Sequence, residues 1–270
     1  MDVPHPEIFK AYDIRGIVGK SLTADIVEQI GRAIGTEALA AGDRAVVVGR
    51  DGRLSGPTIA GALMEGICAT GCDAVDIGMV PTPLTYFATQ ALDIGSAVSV
   101  TGSHNPPDYN GLKVMIGTHT LAAERIQDLR KRIEDREFSV GTGQRHTEDV
   151  VPEYMRRVVA DVRLKRPLRV VTDCGNGVAG MAAPQLMRDI GCEVVELFSE
   201  VDGTFPNHHP DPSVAGNLAP LIKAVHREEA DLGVAFDGDG DRLGVVTDTG
   251  QVIWPDRQMI LFAQDILSRN

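Results

Sequence analysis

Three aspartates, Asp237, Asp239 and Asp241, alternate with glycine in the stretch DGDGDR, which closes on Arg242. Carboxylates this close repel one another unless positive charge sits among them, and hard oxygen donors suit Mg2+ or Ca2+. A solvated Asp-Gly turn is the plainer reading of such residues. An ordinary turn, however, does not need strict alternation set between two apolar runs, LGVAF before it and LGVV after it. The stretch is therefore read as a metal site. A calcium EF-hand does not fit: it wants glycine where Arg242 stands, glutamate where Asp248 stands, and helices where the flanks read as strands.

The second chemically equipped stretch is TGSHNPPDYNGLKV, residues 101–114. It offers a hydroxyl at Ser103, an imidazole at His104, an amide at Asn105, two stiffening prolines, an Asn110-Gly111 turn and an amine at Lys113. The strand-like run GSAVSV leads into it. Sheets with parallel strands bind ligands beyond the C-terminal ends of those strands, which makes Ser103 a candidate nucleophile. A hydrolase reading of Ser103 beside His104 is weaker, because neighbours in an extended segment point apart and the G-x-S-x-G elbow is absent. The same parts suit phosphoryl chemistry, with Lys113 neutralising phosphate charge or moving a proton. Against this, NG before LKV is also a common hairpin signature with an exposed lysine.

Other polar residues carry weaker signals. AYDIRG brings Tyr12 and Arg15 together, but a surface arginine paired with Asp13 explains it more simply. Arg50 and Arg53 lie just before a helix start at Ser55 and could meet phosphate. An ion pair with Asp51 accounts for them at least as well, so neither is assigned a role. His208, His209 and Asp211 are zinc-type ligands without the i, i+4 spacing of a helical site, and the prolines around them indicate a rigid structural loop.

These residues need a scaffold, and the chain supplies one by alternation. A helix capped by Thr23 places Ile26, Ile30, Ala33 and Ile34 on one face. The strand AVVVG follows, then a helix with Ile59, Leu63 and Ile67 inward, then the strand AVDIG. VPTPL reads as a rigid crossing before the helix TYFATQAL, and beyond the Ser103 stretch an amphipathic helix turns Ile126, Leu129 and Ile133 inward. The polar residues 139–149 mark a domain boundary. The pattern then repeats: LRVVTDCGNG echoes RAVVVGRDGR, and GCEVVEL echoes GCDAVDI. The Ser103 and DGDGD stretches thus fall at equivalent places in two related domains, and facing domains would let them meet in a cleft. The expected fold is two repeated three-layer α/β/α domains with mixed, mostly parallel sheets. The final run, with Met259, Phe262, Ala263, Ile266 and Leu267 on one face, reads as the first helix of a third copy or as a terminal cap docked on the second domain.

Bulk properties narrow the function. With 270 residues, 43% apolar and 24% charged, the composition is that of a soluble protein of about two domains, and no run approaches the roughly 18 apolar residues of a membrane span. A net charge of −12 opposes nucleic acid as the main partner but leaves a small anionic substrate open. The start, MDVPHPEIFK, lacks the basic and apolar regions of a signal peptide, so the cytoplasm is expected. Cys68, Cys72, Cys174 and Cys192 form no CxxC pair and read as reduced packing residues.

TGSHNP, DGDGDR, AYDIRG and NGLK, with VGRDGRLSGP, VPTP, VTDCGNGVAG and FPNHHPDP beside them, make essentially the whole chain resemble the α-D-phosphohexomutases, and among them the bacterial phosphomannomutase/phosphoglucomutase group. The resemblance implies four domains, of which residues 1–148 would be the first, 149–254 the second and 255–270 the opening helix of a truncated third. It implies that Ser103 is carried as phosphoserine, with Mg2+ held by its phosphoryl group and by Asp237, Asp239 and Asp241. Phosphoserine would phosphorylate a hexose phosphate, and the hexose 1,6-bisphosphate would turn over and return its other phosphate, interconverting 1- and 6-phosphates of mannose or glucose. Arg15 and Lys113 would assist proton transfer or hold Ser103 and its phosphate, Tyr12 and His104 would shape the site, and Arg242 would offset substrate charge. The family's Gly-Glu-Met-Ser-Gly-His sugar loop and its distal phosphate loop have no counterpart here. The expectation is metal binding and a phosphoserine with little or no mutase turnover, the missing C-terminal domains being required. A non-catalytic metal-binding module and a metal-dependent sugar phosphatase are the competing readings.

Overall fold

Apolar runs of period two fold as strands and those of period near 3.6 as helices. The computed structural model describes residues 4–269. The leader-free reading rests partly on residues 1–3, and the 255–270 piece ends on residue 270; both lie outside the described residues. The chain divides between Tyr154 and Met155 into two compact units. The first holds β1 (Ile14–Ile17), α1 (Ala24–Ala40), β2 (Ala45–Arg50), α2 (Gly56–Cys68), β3 (Asp73–Met79), α3 (Thr82–Ala91), β4 (Ser96–Val100), β5 (Tyr109–Ile116), β6 (His119–Thr120), α4 (Glu124–Asp135) and β7 (Arg145–Thr147). Helix α5 (Val151–Asp161) crosses the division. The second unit holds β8 (Arg169–Asp173), α6 (Ala183–Asp189), β9 (Glu193–Leu197), α7 (Ala219–Arg227), β10 (Leu232–Phe236), β11 (Leu243–Thr247), β12 (Val252–Ile253) and α8 (Pro255–Arg269).

The two sheets repeat one plan. The first runs β1-β5-β4-β2-β3-β7 and the second β12-β11-β10-β8-β9. Both share three parallel strands (β4, β2, β3 and β10, β8, β9) with two more, β5 and β1 or β11 and β12, joined antiparallel; the first sheet adds β7 parallel to β3 and the short β6 antiparallel to β5. Both are mixed sheets in α/β/α units, as the sequence suggests.

Burial follows the periodicity. Thr23 Oγ1 accepts the Ile26 amide (3.3 Å) and starts α1, whose buried Ile26, Ile30, Ala33 and Ile34 join Ile59, Leu63 and Ile67 of α2 and Ile126, Leu129 and Ile133 of α4 in one core. Val46, Val48, Val98 and Val100 face this layer. Val47, Ala97, Val75 and Ile77 lie in a second cluster with Leu84 and Ala88 of α3. Each fully buried Ile or Leu contributes about 1.5–3 kcal/mol, which suffices to fix strand register at the site.

Three expectations change in detail and one element is new. IRGI forms strand β1, which places Arg15 on an edge strand beside β5. Helix α3 begins at Thr82, because a proline is tolerated in a helix's first turn, and VPTPL is not wholly a crossing. Asn110 and Gly111 lie inside β5 and form no turn; Asn110 is buried with its amide on Ser55 Oγ (2.9 Å), and a Cβ at Gly111 would overlap the Ile14 carbonyl of the paired strand. Helix α8 does not dock an apolar face on the second unit: Met259, Phe262, Ile266 and Leu267 are exposed, and Gln258 is its buried residue.

Candidate active-site loops

Each sheet presents one chemical loop at the C-terminal end of a parallel strand. The Ser103 loop leaves β4 and returns as β5; the aspartate loop leaves the equivalent β10 and returns as β11. The position agrees with the general rule for ligand sites in such sheets.

Ser103 is buried and adopts φ +48°, a left-handed conformation uncommon outside glycine. That turn overrides the expectation that Ser103 and His104 point apart, since the segment is not extended there: Ser103 Oγ lies 3.1 Å from His104 Nδ1. Arg15 is buried, so it is no surface arginine, although it does pair with Asp13. Its Nη1 donates to the Gly102 carbonyl and to Asn105 Oδ1 (2.8 Å), which ties β1 to the Ser103 loop. Lys113 is half-buried on β5 opposite Ser99, near the strand end from which the loop leaves. Tyr12, 75% exposed, stands on the approach to β1.

The aspartate loop is a tight connection with a built interior. Asp237 Oδ1 accepts the amides of Asp241 and Arg242, both at 3.0 Å, which closes the loop as a turn. Asp237 and Asp239 are wholly buried, Asp241 and Arg242 are exposed, and one oxygen from each of the three aspartates falls within 4.8 Å of the others. Three hard oxygen donors in that space, two of them withdrawn from water, fit a small divalent cation. Among the described residues this is the one such cluster of metal-type side chains.

His208 takes a structural part instead. Its Nε2 donates to the carboxylate of buried Asp173 (3.0 Å) and its Nδ1 to the His209 carbonyl (3.0 Å), pinning the proline-rich loop to the end of β8. Burial alone would lower its pKa, but the bonds to Asp173 and His209 more than offset this and raise it above the usual histidine range. Burial pushes the Cys72 and Cys174 thiols up to about 12, consistent with packing roles.

One residue left without a role lies under the Ser103 loop. Arg53 has a fully buried side chain paired with Asp51 (3.2 Å), the ion pair foreseen as the alternative, and its guanidinium reaches loop carbonyls. Strands β2 and β4 pair in parallel although α2, β3 and α3 separate them in the chain, so the residues after AVVVG emerge beside the residues after GSAVSV, an adjacency that no local sequence pattern announces.

Fold and loops together define a class: a tandem α/β/α protein whose units each carry a chemically equipped loop after the same strand. Residues 6–140 match the family model for phosphoglucomutase/phosphomannomutase alpha/beta/alpha domain I, and residues 152–250 match that for domain II. The chain belongs to the phosphoglucomutase/phosphomannomutase family. It is 55% identical to a phosphomannomutase/phosphoglucomutase of Pseudomonas aeruginosa over 97% of this chain and 57% of that protein. A phosphoglucomutase of Neisseria meningitidis is 52% identical over 98% of this chain and 58% of its own length. A crystal structure of a family protein from Burkholderia thailandensis superposes with a TM-score of 0.94 at 54% identity, covering 97% of this chain and 59% of that one. The chain thus spans less than two thirds of the relatives it matches.

Proposed function

We propose that this chain carries the phosphoryl-transfer half of a phosphohexomutase: Ser103 as the phosphorylated nucleophile, and Asp237, Asp239 and Asp241 as ligands to Mg2+. The observation that carries the reading is the pairing of a buried, conformationally constrained serine with a three-carboxylate cluster on equivalent loops of two repeated units. The substrate class is a hexose phosphate, as in the names of the relatives, with a hexose 1,6-bisphosphate as phosphoryl donor.

In the loading step the bisphosphate P–O bond breaks as the P–Oγ bond to Ser103 forms. The hydroxyl proton passes to His104 Nδ1, 3.1 Å away, and a proton returns to the sugar oxygen that leaves. Mg2+ held by Asp237, Asp239 and Asp241 would supply positive charge that offsets the charge of a phosphoryl group. Lys113 and the exposed Arg242 add cationic charge for phosphate, Arg15 holds the Ser103 loop through Gly102 and Asn105, and exposed Tyr12 lines the approach.

The test is intact mass after incubation with glucose 1,6-bisphosphate and Mg2+. A single phosphate-sized adduct that disappears in Ser103→Ala is expected; no adduct on the unmodified chain would count against the reading. Slow loss of that adduct in water, without added sugar, separates a mutase from a phosphatase. A coupled glucose 1-phosphate assay is expected to show little turnover by this chain beside a full-length relative.

A further inference from the structure

We propose that Arg53, joined to Asp51, is the positioning residue that sets Ser103 for phosphoryl transfer; this rests on the reading of Ser103 as phosphoryl acceptor. Strands β2 and β4 run parallel side by side, Arg50 opposite Val100, so the loops that leave them emerge together. Asp51 occupies the first turn of that meeting. Its Oδ1 accepts the Arg53 amide (3.0 Å), and its Oδ2 accepts the Thr101 hydroxyl (2.8 Å), the Gly102 amide (3.1 Å) and Arg53 Nε (3.2 Å). Thr101 Oγ1 in turn accepts the Ser103 amide (2.7 Å).

Arg53 completes the arrangement from below. Nη1 donates to the carbonyls of Pro106 (2.5 Å) and Tyr109 (2.9 Å), and Nη2 to those of Ser103 (2.9 Å) and Asn105 (2.7 Å). With Nε on Asp51, all five N–H donors of the guanidinium are used. Four carbonyl dipoles converging on one point repel unless a planar cation with a fixed fork of donors lies among them; an ammonium offers three donors from a single nitrogen and cannot match it. Both sides of Ser103 are thereby fixed, its amide through Thr101 and its carbonyl through Arg53. A residue stays in a left-handed conformation only where its surroundings over-determine it, and here they do. Gly102 shows how closely the cation is fitted, since a Cβ there would overlap Arg53 Cζ and Nε.

A buried ion pair is weak evidence for stability in itself. Its shape here is specific to one loop. The place equivalent to Arg53 in the second unit is Gly177, where backbone approaches backbone instead: the neighbouring Val178 amide donates to the Gly238 carbonyl (3.2 Å).

Two substitutions in this chain test the proposal, Arg53→Lys, which keeps the charge, and Gly102→Ala, which keeps every charged group but displaces the guanidinium. Backbone hydrogen exchange over residues 101–110 is expected to speed up at least about tenfold in both, with the strands of the second unit unchanged. The rate of Ser103 phosphorylation by glucose 1,6-bisphosphate, followed by intact mass, is expected to fall at least about tenfold at saturation, with the half-saturating concentration nearly unchanged because Arg53 does not touch the sugar. Unchanged loop exchange in either folded variant overturns the proposal, as does a rate loss carried by half-saturation alone. Should Arg53→Lys fail to fold, Gly102→Ala decides. If the unmodified chain takes up no phosphoryl group, the functional reading fails and the exchange measurement alone decides whether Arg53 fixes Ser103.

Discussion

Asp239 is wholly buried within a loop that brings it close to two further carboxylates, so its charge needs a compensating cation more than an exposed aspartate's would. Asp239→Asn removes that charge at constant shape. Isothermal titration is expected to show Mg2+ affinity lowered by at least about tenfold, a loss of about 1.4 kcal/mol; an unchanged titration would remove Asp239 from the ligand set. Residues of this kind are legible in a sequence because alternation within one loop is a local pattern. Ser103 was legible for the same reason, as the hydroxyl that follows a strand. Its contact with His104 was not, because it depends on a single left-handed residue that no periodicity announces. Arg53 was harder still, since its four carbonyl partners lie some fifty residues away and are backbone atoms with no side-chain signature.

At the scale of elements, strand and helix identities follow from apolar spacing, and the repeat was readable from two pairs of similar segments. The elements that were misread or missed have separate causes. NG usually marks a turn, but the requirement to bury Asn110 and to admit β1 alongside Gly111 holds both within β5. Strand β1 itself is short and edge-paired, so it carries too few residues to show a period. Parallel neighbours also predict which loops support which. In the second unit a Cβ on Gly177 would come within 3.0 Å of Gly238 Cα and carbonyl O and 3.1 Å of the Asp237 carbonyl. Gly177→Ala is expected to cost about 1–3 kcal/mol in denaturant unfolding and to weaken Mg2+ binding in the same titration; wild-type values for both would show that the two loops are not mechanically linked.

For the molecule as a whole, each compact unit carries a buried ionic pair that fixes a loop, Asp51–Arg53 under the Ser103 loop in the first and Asp173–His208 at the proline-rich loop in the second. The second device titrates. Because the folded pKa of His208 is raised, its contribution is complete below the unfolded value of about 6.5 and is lost as pH rises through the folded value. The thermal midpoint of the second unit is therefore expected to fall as pH rises above about 6.5, and His208→Gln to flatten that dependence; a parallel decline in the variant would assign the effect elsewhere. No helix among the described residues is long and apolar enough to cross a membrane. One consequence of the repeated plan concerns time. Both chemical loops connect antiparallel strands that are neighbours in sequence, β4 with β5 and β10 with β11, whereas the parallel pairings wait on helical crossovers. Hairpins close in about 1–10 μs. Both loops are thus positioned to have their ends joined early, before the flanking loops that brace them arrive, and pulse-labelled amides in β10 and β11 should gain protection ahead of those in β8 and β9.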